Sequence, residues 1–108
     1  MSQFGEREQN FEAKFAHDEE LRFKVFARRN KLLGLWAAHK LGLAGQAAED
    51  YAIGVIKAGA TSADEESVFA KVRADFDAKA VSASDHQIRR EMHDLLGTAR
   101  HQIMTEEK

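Results

Sequence analysis

The chain has no cysteine and no proline among its 108 residues, and it holds a single tryptophan and a single tyrosine. Without cysteine there is no disulfide framework and no thiolate metal site, so a reducing, cytosolic setting is the expectation. Without proline there is no forced helix stop and no ring-locked turn; helix ends must be set by glycine and by capping side chains. No apolar run approaches the length that spans a bilayer, and the amino terminus lacks the apolar segment of a signal peptide, so neither is expected. A net charge of −2 argues against a binder held to nucleic acid by bulk electrostatics. At this length one domain is expected.

What is present is helical periodicity. From Asp18, Glu19 and Glu20, carboxylates suited to a first turn, a helix is expected to run to Leu41 before Gly42, roughly 36 Å long. Leu21, Val25, Leu32 and Trp36 share one of its faces, widened by Leu33 and Leu35, with Trp36 expected as a core anchor and Gly34 as a point of close helix approach. A second helix is expected from about Gln46 to Ala58, burying Ala48, Tyr51, Ala52, Val55 and Ile56. Ser62 with Glu65 reads as a capping box that opens a third helix on Val68, Phe69, Val72 and Phe76. Ser84 with Gln87 repeats the signal before a fourth, whose face is Ile88, Met92, Leu95, Leu96, Ala99 and Ile103. The fold class is therefore all-α: a four-helix bundle over residues 18–108, preceded by an amphipathic segment, residues 1–17.

That leading segment is the anomaly. Five of the seven phenylalanines, Phe4, Phe11, Phe15, Phe23 and Phe26, lie in the first quarter of the chain, and the first three precede the bundle. Spacings of seven and four residues put Phe4, Phe11 and Phe15 on one helical face. An isolated helix of this length is marginal in water, so the segment is expected to be frayed or disordered when free, its rings finding no cover on their own globule. Two readings stay open: an edge helix packed on its own bundle, or a stripe that waits for a groove on another protein.

Next to it lies a basic tract, Arg22, Lys24, Arg28, Arg29 and Lys31, with no carboxylate inside it. Five cations on one helix cannot share a face, so a solvated flank is the plain reading and a phosphate site the functional one. No glycine-rich phosphate loop accompanies them. His17, His39, His86, His93 and His101 show no ligand spacing and are expected on the surface, with no metal. His17 sits beside Asp18, Glu19 and Glu20, carboxylates that favour a protonated imidazole, and is the one candidate for sensing pH. No pairing of nucleophile and base suggests an enzyme.

The run FEAKFAHDEELRFKVFARRNKLLGLWAAHKLGL closely resembles the signature of the small zeta subunits of alphaproteobacterial F-type ATP synthases, the ATPase-inhibitor zeta family. SVFAKVRADF and HQIRREMHDLLGTARHQI resemble that family's third and fourth helices, so the likeness covers nearly the whole chain. AIGVIKAGATSADEE departs from the pattern, with Gly54 and little of the usual charge.

The resemblance implies a non-enzymatic regulator that blocks ATP hydrolysis by inserting its amino-terminal helix into the catalytic head, against the alpha, beta and gamma subunits. It implies a cytoplasmic place, peripheral to the inner membrane through the synthase, with no nucleic acid and no membrane insertion. Carried onto this sequence, the partner-binding residues are Phe4, Arg7, Phe11, Lys14, Phe15 and His17. The family has been linked to adenine nucleotides, so a weak ATP or ADP site on the basic tract, in a small nucleotide-sensing bundle, is the alternative.

Overall fold

The computed structural model of the chain describes residues 10–11, 13–15, 17–60 and 65–106. They form α1, Glu19–Lys40; α2, Gly45–Ala60; α3, Glu66–Ala78; and α4, Asp85–Glu106. A helical stretch that includes Phe11 and Phe15 precedes α1, and there is no strand among the described residues. The fold is all-α, as the periodicity requires. In space α1 packs on α2 and α4, and α3 packs on the same two, so that the four helices close into a ring of contacts.

The helix ends follow from local chemistry. Asp18 caps α1, its carboxylate accepting from the amide of Leu21 at 3.1 Å, with Glu19 and Glu20 in the first turn. At the other end Gly42 takes φ +80°; its amide donates to the His39 carbonyl at 3.1 Å and that of Leu43 to Ala38 at 2.9 Å. This is a Schellman close, and the left-handed residue is the expected glycine. The box before α4 is also present, with Ser84 N donating to Gln87 Oε1 at 2.9 Å and Gln87 N to Ser84 Oγ at 3.1 Å.

Of the box expected before α3, only Glu65 is among the described residues, Ser62 lying outside them. Glu65 stands at the cap position, without a side-chain cap bond, and its carboxylate turns to Arg29 instead. A buried guanidinium has the stronger claim on that carboxylate.

Two apolar clusters fill the interior. The central one takes Leu33 and Ala37 from α1, Val55 from α2, Val68, Val72 and Phe76 from α3, and Ile88 and Met92 from α4. Trp36 is its half-buried anchor, with its ring centroid 5.8 Å from that of Phe76. The second cluster lies at one end, where Leu21 and Val25 of α1 meet Ala99, Ile103 and Met104 of α4. Gly34 lets α1 and α2 close on each other, since a Cβ there would lie 2.6 Å from the Cα of Ala52.

Polar side chains tie the helices together from outside. The Tyr51 hydroxyl donates to Asp75 at 2.7 Å, and Lys71 pairs with the same carboxylate at 3.2 Å, linking α2 to α3. Arg89 grips Glu66 with two nitrogens, at 2.8 and 3.0 Å, while stacked 3.9 Å over the Phe69 ring, linking α4 to α3. Exposed pairs of this kind contribute little each, but they fix register.

Candidate partner-binding segment

The residues before α1 are placed by one corner. Asp18 has φ −103° and ψ 105°, extended rather than helical. Its amide donates back to the Lys14 carbonyl at 2.9 Å, closing the leading helical stretch, while its carbonyl accepts from Arg22 at 3.0 Å, opening α1. One residue therefore ends one helix and starts the next, so the chain turns at Asp18 rather than continuing as a single rod.

That turn lays the leading stretch on the body. Phe11 is only 9% exposed and belongs to the end cluster with Leu21, Val25, Ala99, Ile103 and Met104. Phe15 packs against the same cluster, half-buried, with its ring 6.4 Å from that of Phe11 and nearly parallel to it, at 10°. On its other side it meets Phe26 at 6.4 Å, and the Arg100 guanidinium stands 5.1 Å from its centroid. Of the two readings left open by the sequence, the free chain takes the edge helix. The expectation that these rings find no cover on their own globule is corrected for Phe11 and Phe15. The physical reason is that α1 and α4 are both 22 residues long and project an apolar end beyond the central core.

Lys14 and His17 are exposed, on the polar side of the stretch. Phe4 and Arg7 lie outside the described residues. Phe23, 64% exposed, stands on α1 one turn before Phe26, outside both clusters.

The basic tract is divided by the fold. Arg28 donates to both oxygens of Glu106, at 2.7 and 2.8 Å, and to Gln102 at 2.7 Å, tying α1 to the end of α4. That contact holds the Glu106 carboxyl below the usual carboxylate range. Arg29 is 1% exposed; it donates to Glu65 at 2.7 Å, to the Asn30 carboxamide at 2.8 Å and to the Met92 carbonyl at 3.4 Å.

Lys24 sits 3.8 Å from Glu20 on the surface, and Arg22 and Lys31 are exposed. Helical geometry puts Lys24 and Lys31 on one side and Arg22 about 160° away. The five cations are not gathered, and Arg28 and Arg29 are engaged in the body rather than in a solvated flank. Arg29 was legible in principle, because Leu21, Val25, Arg29 and Leu33 stand four residues apart on the buried stripe.

All five histidines are exposed, and no group of three or more potential ligands gathers among the described residues. No described helix is long and apolar enough to cross a membrane.

Residues 1–102 match the family described as ATPase inhibitor subunit zeta. None of the curated proteins compared with the chain matches it.

Proposed function

Because the chain belongs to the ATPase inhibitor subunit zeta family, we propose that it is a non-enzymatic regulator that stops ATP hydrolysis by lodging residues 1–17 in the catalytic head of the ATP synthase. In this reading Phe4, Phe11 and Phe15 are the apolar anchors, and Arg7, Lys14 and His17 face polar groups at an interface of the alpha, beta and gamma subunits. The protein would then sit on the cytoplasmic side, held to the inner membrane only through the synthase.

The observation that carries the reading is the separation of the two clusters. The central one, from Leu33 to Met92, contains no residue before α1, and the leading stretch is joined to the body through the corner at Asp18. A segment whose rings are spare to the central core can leave it without unfolding it. A rotary enzyme passes through several states, and a wedge acts only by binding one of them better than the rest.

Removal of residues 1–17 tests this. The truncated chain is expected to keep the four helices α1 to α4 and cooperative melting and to lose inhibition of ATP hydrolysis. Full inhibition by the truncated chain would place the wedge elsewhere.

A further inference from the structure

The apolar face of the leading stretch is occupied in the free chain. Phe11 and Phe15, four residues apart, lie against Leu21, Val25, Ala99, Ile103 and Met104, and Arg100 covers the Phe15 ring. One face of a helix cannot lie on its own body and in a partner's groove at once. We infer that the end groove between α1 and α4 is a resting dock for the inhibitory segment, and that undocking of Phe11 and Phe15 is a required step that sets how potently the chain inhibits. This rests on the wedge reading of the preceding section.

The local geometry suits release. The cap of α1 is made by the corner residue Asp18 and by Leu21 of α1, with no partner in the segment itself, so rotation about Asp18 φ leaves the cap bond in place. Asp18 is already extended, and reorienting the segment needs only rotation about a residue that is not part of a helix. The dock is also confined to one end: Phe11 is buried, Phe15 half so, and Lys14 and His17 remain in water. If f is the fraction of molecules with the segment undocked, the apparent dissociation constant for the synthase is the intrinsic one divided by f. Weakening the dock from the body side therefore strengthens inhibition, until f approaches one.

The test changes only α4, which the wedge reading leaves outside the partner contact, and uses full-length chains. Arg100→Ala removes the cation over Phe15 and should lower the concentration for half-inhibition of ATP hydrolysis at least about twofold, since Arg100 is half-buried and a cation–π contact gains strength as water is excluded. A double variant, Ile103→Ala with Met104→Ala, should lower it further, towards a plateau. Amide hydrogen exchange at residues 11–17 should quicken in both, with circular dichroism confirming an intact body. Should the double variant fail to fold, Arg100→Ala carries the test alone, since it lies outside the buried core.

Two results would overturn the dock. One is quickened exchange at residues 11–17 with unchanged or weaker inhibition; the other is exchange that does not quicken at all. The truncation separates this from failure of the wedge. A truncated chain that still inhibits removes the wedge reading, whereas a truncated chain that does not inhibit, beside α4 variants of unchanged potency, removes the dock alone.

Discussion

Gly34 of α1 and Ala52 of α2 touch backbone to backbone: a Cβ at residue 34 would stand 2.6 Å from the Ala52 Cα and 3.0 Å from its Cβ. The obstacle is main chain, which cannot swing aside as a side-chain tip can. Gly34→Ala should therefore be destabilising although alanine is the better helix former. Overpacking of a close contact costs about 1–3 kcal/mol, and the gain in helix propensity returns at most about 1. A drop in the denaturation midpoint is expected; an unchanged or raised midpoint would mean that α1 and α2 are free to separate.

Ala80 presents the opposite case. It follows α3 with φ +55°, while the amide of Val81 donates to the Phe76 carbonyl at 2.8 Å and that of Ala80 to Asp77 at 3.2 Å. This is the same Schellman close as at Gly42, made with a residue that carries a Cβ in the left-handed region. Ala80→Gly relieves that strain and should stabilise the chain by about 1 kcal/mol, read as a higher thermal midpoint. Loss of stability would show that the greater freedom of glycine in the unfolded chain outweighs the relief.

These two turns show how much of the molecule was legible in its residues. Caps made by side chains close to their targets, such as Asp18 and the Ser84 and Gln87 pair, are written in the sequence because the chemistry is local. Gly42 marks its turn; Ala80 does not, since nothing distinguishes it from the other alanines until the backbone is seen. Arg29 escaped because a charged residue reads as solvent-facing even when its spacing from Val25 and Leu33 puts it inside. For the leading segment, the pattern Phe11 and Phe15 shows that an apolar face exists. Which surface covers it depends on the relative lengths of α1 and α4, a tertiary fact that no local pattern carries.

Arg29 makes a third prediction. Its side chain is 2% exposed, whereas that of its partner Glu65 is 52% exposed. Glu65→Ala leaves a buried guanidinium without its carboxylate and should cost about 1–3 kcal/mol. Arg29→Met returns Glu65 to water at little cost but takes a donor from the buried Asn30. The double variant is expected to be no less stable than the worse single one, so that a double-mutant cycle reads a coupling between the two residues. Additive losses would mean that the ion pair contributes nothing of its own. Because the pair lies in the body, each folded variant should inhibit as the full chain does.

Tyr51 supplies a prediction in alkali. Burial is the largest cause that raises its phenol above the ordinary tyrosine range, and donation to Asp75 at 2.7 Å adds to it, since ionisation would place two anions together. The folded state therefore keeps this proton where the unfolded chain releases it. The resulting stabilisation is complete below the ordinary tyrosine range, near pH 10, and is lost as pH rises from there through the higher folded value. With one tyrosine in the chain, tyrosinate absorbance reports this group without overlap from another. Absorbance in the folded protein should stay low beyond pH 10 and rise when the chain unfolds. Tyr51→Phe should cost about 1 kcal/mol at neutral pH through the lost hydrogen bond and flatten the alkaline fall in stability. Ionisation at the ordinary value in the folded protein would show that α2 and α3 are not held together through this hydroxyl.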